Sequence, residues 1–285
     1  MSRLKKAMQR AQEIRGQRPN TGASTPIRRS LLRDLVDGVS RESKEVKVQY
    51  SKTKVARTDP EVLRKNKIFS LFKEHRVTDE VEALRTQILA KLNKIGGNTI
   101  LVTSAHPGEG KTFTSINLGV SIAQQLDRTV LIVDCDLRNP WKNHFDLSHD
   151  FFGLNINMGL ADYLLGNAAI EDVFVNPGIE KLTILPGGKP LSNSSELLGS
   201  KRMEELVIDL KNRYRNDRIV IFDSPAMLAC TDPLVFSHLI DGVIIVVQAE
   251  RTSPDDIRRV VDLLQDRPIL GTVLNKSKEP RETYV

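Results

Sequence analysis

From Ser104 to Phe113 the chain reads SAHPGEGKTF, a set of residue types whose spacing suits the capture of a polyphosphate. Gly108 and Gly110 lack Cβ atoms, so their backbone reaches φ > 0 and several N–H groups can converge on one anion. Lys111 adds a full positive charge. Thr112 offers a hydroxyl to Mg²⁺, and the helix opening there contributes about +0.5 charge from its free N–H groups. With Glu109 and Phe113 these residues form the expected cradle for ATP. The spacing is that of a P-loop with Ala105 in place of its first glycine. Three aspartates lie where they could serve the same ligand. Asp223 follows the apolar run IVIF and is expected to hold Mg²⁺ through water, because an unpaired charge at the end of a buried strand is otherwise costly. Asp134 and Asp136 follow TVLIV, and strand periodicity points both the same way. One suffices for the metal, which leaves the other to orient a nucleophile. Asn275 closes the last apolar run, where its amide either reads an adenine edge or ends the strand in a turn.

The elements that must position these groups are legible as an alternation. Short Val/Ile-rich runs occur at Ile100–Val102, Thr129–Asp134, Leu182–Leu185, Ile219–Phe222, Val243–Val247 and Ile269–Leu274. Helical stretches separate them, around Ala161–Leu165, Ser194–Tyr214, Asp232–Ile240 and Pro254–Leu264, besides the helix after Lys111 with Ile116, Val120 and Ala123 on its apolar face. Continuous apolar strands alternating with helices predict an α/β fold of three layers, α/β/α, with a mostly parallel central sheet covered on both faces. Strand C-termini converge on the ligand in such a sheet, which gathers the aspartates at the loop. The folded domain is expected over residues 77–275. Its first helix carries Val81, Leu84, Ile88 and Leu92, is capped by Thr78 or Asp79, and stops at Gly96-Gly97.

Charge is unevenly distributed along the 285 residues. Residues 1–76 hold 20 Lys+Arg against 8 Asp+Glu, whereas residues 77–285 hold 22 against 28, for a net charge of +6 overall. The first segment therefore reads as a basic, largely flexible arm. Within it, residues 2–15 place Leu4, Met8, Ala11 and Ile14 on one helical face, a pattern that suits docking to an anionic membrane or an acidic partner, or else a solvated helix. Residues 16–30 have linker composition, Val46, Val48 and Tyr50 alternate as in one short strand, and Asp59–His75 is helical but highly charged. Cys135 and Cys230 sit in apolar surroundings and read as core residues of a reducing compartment, which implies a cytoplasmic protein. No run approaches the ~20 apolar residues of a membrane span, and no signal peptide is expected. Residues 276–285 read as a flexible tail containing Tyr284.

With SAHPGEGKT, LIVDCDLRNP and IVIFDSP in place, the chain from about Thr78 onward resembles the bacterial tyrosine kinases, the P-loop autokinases of capsule and exopolysaccharide assembly related to ParA/MinD-like ATPases. GLADYLLG (159–166), NSSELLGS (193–200) and Tyr284 add to the likeness. Ala105-His106-Pro107 stand where ParA/MinD-like proteins usually carry a signature lysine. The resemblance implies Lys111 on the phosphates, Thr112 and Asp223 on Mg²⁺, Asp136 beside the metal, and Asp134 orienting or deprotonating a tyrosine hydroxyl. Tyr284 would be the autophosphorylation site, reached in trans within a homo-oligomer. A membrane activator of the chain-length-regulator (co-polymerase) type would hold the enzyme peripherally at the membrane, with no sequence-specific nucleic acid involved. Two features depart from the family: Asp79, Glu82 and Arg85 keep only the last arginine of its E-x-x-R-x-x-R motif, and the tail has one tyrosine. A positioning ATPase on membrane or DNA and a non-catalytic ATP-binding scaffold of the export complex are the rival readings.

Overall fold

The computed structural model describes residues 53–72, 75–138, 147–213, 217–265 and 267–278. The expectations for residues 2–50, for Tyr214 and for Tyr284 lie outside these. Eight strands form one sheet: β1 (Lys54–Val55), β2 (Thr99–Ser104), β3 (Thr129–Asp134), β4 (Val175–Asn176), β5 (Leu182–Leu185), β6 (Arg218–Asp223), β7 (Gly242–Gln248) and β8 (Ile269–Asn275). Their spatial order is β1-β4-β5-β3-β6-β2-β7-β8, and every pairing is parallel except β4 with β5. The strands richest in Val, Ile and Leu take the centre, where both faces are covered.

Alternate residues of each central strand enter opposite layers. Ile100, Val102, Val130, Ile132, Ile219 and Ile221 pack toward α2 (Arg76–Lys94) and α3 (Lys111–Ala123). Leu101, Leu131, Val133, Val220 and Phe222 pack toward α7 (Lys201–Arg213), α8 (Asp232–Ser237) and α9 (Pro254–Leu264). This is the expected three-layer α/β/α arrangement. Short helices α1 (Pro60–Lys65), α4 (Leu160–Leu164), α5 (Ile170–Val173) and α6 (Ser194–Leu198) fill the connections. The helix expected over 194–214 is broken at Gly199-Ser200, where Ser200 restarts it by accepting at its hydroxyl from the Met203 N–H.

The expected arm of residues 1–76 does not extend so far: residues 54–72 belong to the folded body. β1 pairs with β4, and the Thr58 hydroxyl donates to the Pro177 carbonyl at 2.7 Å. Leu63 and Ile68 are buried, and the buried Asn117 of α3 accepts from both the N–H and the hydroxyl of Ser70. The apolar residues of this stretch, Val62, Leu63, Ile68, Phe69, Leu71 and Phe72, are interleaved with charges and follow no single helical or strand period, so the packing was not legible locally. Nor do Thr78 or Asp79 cap α2. His75 does, its Nδ1 accepting from the Val77 N–H, while the Thr78 hydroxyl donates to the carbonyls of Phe69 and Phe72.

A phosphate-binding loop and its carboxylates

β2 delivers the chain to the loop and α3 leaves it. Gly108 and Gly110 both adopt positive φ, +80° and +100°. At Gly110 a second constraint applies, because an added Cβ would lie 2.0 Å from Nδ2 of Asn275. Lys111 opens α3 and is 9% exposed.

The loop is tied down by groups from distant segments. Glu109 is completely buried. One of its oxygens accepts from the His106 N–H at 3.1 Å and the other from the Thr252 hydroxyl, so its side chain turns into the protein and braces the loop. Asn275 donates from Nδ2 to the Glu109 carbonyl at 2.8 Å and accepts at Oδ1 from the Lys276 N–H. Both its polar atoms thus bond to the chain itself, which makes Asn275 an anchor of the loop. Lys276 Nζ donates to the Gly108 carbonyl at 2.7 Å, and His106 Nε2 lies 3.1 Å from Asp256 Oδ2. Phe113 packs its ring edge-on against Phe69, centroids 6.1 Å apart, which leaves its backbone at the loop. Thr252, Asp256 and Lys276 carried no signal in the sequence, since none falls in a recognisable spacing with the loop.

The carboxylates converge as the parallel register requires. Asp223 aligns with Val102 on β2 and with Asp134 on β3. Its Oδ2 accepts from the Thr112 hydroxyl at 2.6 Å and its Oδ1 from the Ser115 hydroxyl at 2.8 Å. Ser115 was not singled out, although its position three residues after Thr112 puts it on the same helix face. Burial pushes the Asp223 carboxyl up to about 6, against the opposing pull of the Thr112 hydrogen bond and the Lys111 charge. A buried carboxylate met by hydroxyls, with an ammonium close enough to act on it, fits a divalent cation: the cation would replace the hydration that burial removed.

Asp134 is 5% exposed at the end of β3, and its Oδ1 accepts from the Asp136 N–H at 3.0 Å. The strand stops at Asp134, so periodicity does not govern Asp136 as expected. The half-buried Asp136 lies in the irregular exit, near enough for its charge to act on Asp223. Cys135 between them is buried, and burial followed by the neighbouring Asp134 charge drives its thiol well above the ordinary range. It stays protonated and serves packing. Burial likewise pushes Cys230 up to about 11.

With this geometry established, likeness to known proteins decides the family. A family model for an AAA domain matches residues 97–268. The tyrosine-protein kinase YwqD of Bacillus subtilis is 33% identical over 182 residues, spanning 63% of this chain and 73% of that protein. The chain belongs to the bacterial tyrosine-kinase family. Among solved structures, the kinase domain of the Escherichia coli tyrosine kinase ETK superposes with a TM-score of 0.67 at 28% identity, over 76% of this chain and 83% of that one. The septum site-determining protein MinD of Pyrococcus horikoshii, complexed with Mg-ADP, gives 0.51 at 26% identity over 64% and 72%. Bacterial tyrosine kinases are ATP-dependent enzymes on a MinD-like P-loop fold, and the resemblance carried by the three motifs is confirmed at both levels. No helix among the described residues is long and apolar enough to cross a membrane.

Proposed function

We propose that the loop at 105–112 binds the phosphates of Mg·ATP and that the enzyme passes the γ-phosphoryl group to tyrosine hydroxyls, Tyr284 of a neighbouring copy among them. One observation carries this reading: Thr112, Ser115 and Lys111 surround the buried Asp223 at the end of the strand next to β2. Thr112 and Asp223, with Asp136 beside them, would hold Mg²⁺, which neutralises phosphate charge when bound. Lys111 pairs with the phosphates. Asp134, buried and aligned with Asp223, accepts or steers the proton of the incoming hydroxyl. Such transfer depends on charge neutralisation and alignment far more than on covalent help from the protein, and these residues supply both.

In this reading the enzyme acts in capsule or exopolysaccharide assembly. It works peripherally at the cytoplasmic membrane face, with a membrane activator of the chain-length-regulator type. Support for that setting comes from the family, since the tyrosine-protein kinases are its relatives, and from the basic composition of residues 1–76. The test is incubation of the full chain with γ-labelled ATP and Mg²⁺, then phosphoamino-acid analysis and phosphosite mapping. Phosphotyrosine that falls strongly in Tyr284→Phe is expected. Phosphate release without phosphotyrosine would point to a positioning ATPase, and neither product to a scaffold.

A further inference from the structure

The hydrogen-bond ladder of β3 ends at Asp134, yet Asp134 and Asp136 must be held to a fraction of an ångström if they are to serve phosphoryl transfer. Past the strand, the Cys135 N–H donates to the Asp223 carbonyl at 2.8 Å, after which the sheet offers nothing further. The segment 186–198 takes over. The Gly187 backbone lies against the first carboxylate, since a Cβ there would sit 3.3 Å from Asp134 Oδ2. The Leu191 N–H donates to the Leu137 carbonyl at 2.9 Å.

The third hold is a charged cluster. Arg138, four residues after Asp134, places Nε 3.0 Å from Oδ1 of Asp232. Its Nε and Nη2 also donate to the hydroxyls of Ser194 and Ser195, at 3.1 and 2.9 Å. Asp232 is completely buried at the start of α8. Its Oδ2 accepts from the Ser194 hydroxyl at 2.6 Å and its Oδ1 from that of Ser195. The Ser-Ser pair of the 193–200 motif and the arginine of the D-C-D-L-R motif therefore meet on one aspartate, which comes from a third segment. An ion pair with only its carboxylate buried is a poor source of stability; what it supplies is one geometry in place of several.

We propose that Asp232 and Arg138 are positioning residues for phosphoryl transfer: with Ser194 and Ser195 they clamp the exit of β3 and so set Asp134 and Asp136 against the acceptor. This rests on the kinase reading above. Asp232→Asn keeps the volume and one acceptor oxygen but removes the charge that seats Arg138 and the acceptor for one of the two serines. Arg138→Lys keeps the charge but loses the planar fork.

In the full chain, each variant is expected to bind Mg·ATP within about twofold of wild type while kcat for tyrosine phosphorylation falls at least about tenfold, since a displacement near 1 Å can cost up to about a hundredfold. The double variant should be no slower than the worse single one, because both changes break the same clamp. Arg138 has its side chain 41% exposed, so it provides a variant that folds even if the buried substitution does not. For Arg138→Ala, added guanidinium ion at millimolar concentration should restore part of kcat. Activity within twofold of wild type in the Arg138 variants would overturn the proposal. So would a loss of kcat that merely tracks lost Mg·ATP affinity and melting temperature. If the wild-type chain releases phosphate and labels no tyrosine, the kinase reading fails; the clamp is then judged on ATP hydrolysis by the same margins.

Discussion

Glu109 offers a prediction whose sign separates two roles. A carboxylate directed at a polyphosphate repels it, so truncation would tighten ATP binding; a carboxylate that braces the loop has the opposite effect. Glu109 is fully buried and accepts from the His106 N–H and the Thr252 hydroxyl. Hydrogen bonds to a charged acceptor contribute about 1.5–3 kcal/mol each, so Glu109→Ala forfeits roughly 3–6 kcal/mol in gross terms. Water entering the vacated space offsets about half of this, which leaves about 2 kcal/mol of loop order to be restored when ligand binds. That corresponds to Mg·ATP binding about 30-fold weaker. Glu109→Gln keeps one acceptor oxygen and should lose about 1 kcal/mol, roughly fivefold. Calorimetric titration with a non-hydrolysable Mg·ATP analogue measures both, with urea unfolding alongside to confirm that the domain stays folded. Unchanged or tighter binding by Glu109→Ala would refute the brace and return the side chain to the ligand.

Three other outcomes follow from the same geometry. Lys111→Met should abolish ATP turnover with little change in melting temperature, because it deletes a charge aimed at the phosphates; full phosphorylation in the variant would remove the loop assignment. Asp134→Asn should lower the rate of phosphotransfer far more than Mg·ATP affinity, as judged by single-turnover labelling, and the reverse pattern would make Asp134 chiefly a metal residue. Asp241 gives a pH-dependent prediction on stability. Burial alone would raise its carboxyl, but Lys211 at 2.5 Å, the Asn98 N–H and Thr99 together outweigh burial and hold it below its ordinary 3.8. Its contribution is therefore complete above about pH 4 and lost as pH falls through the depressed value. Asp241→Asn should cost about 2 kcal/mol at pH 7 by urea unfolding, with the gap narrowing below pH 4; a gap independent of pH would refute the assignment.

Part of this protein could be read directly from its chain. The central strands were visible because each is apolar on both sides, and their limits were found to within a residue or two at Thr129–Asp134, Leu182–Leu185 and Val243–Val247. The loop was visible because its glycines, lysine and threonine are adjacent in sequence, and the aspartates because they terminate apolar runs. All of these signals are local: a period, a turn, a strand end. What only the tertiary structure decided is which polar side chains face the ligand and which face the protein. Glu109 and Asn275 sit at the loop as expected, and the structure adds that they hold it in place, through Thr252, His106 and the loop backbone. Residues 54–72 dock through Leu63, Ile68, Leu71, Phe72 and Ser70, positions whose spacing follows no single period. The meeting of Arg138, Ser194 and Asp232 joins three segments separated in sequence by 56 and 38 residues. Apolar periodicity is written in neighbouring residues, because burial acts on a whole face of an element. A hydrogen bond is satisfied by whichever group the folded chain brings within about 3 Å, and for these residues that group lies across the sheet or in another connection.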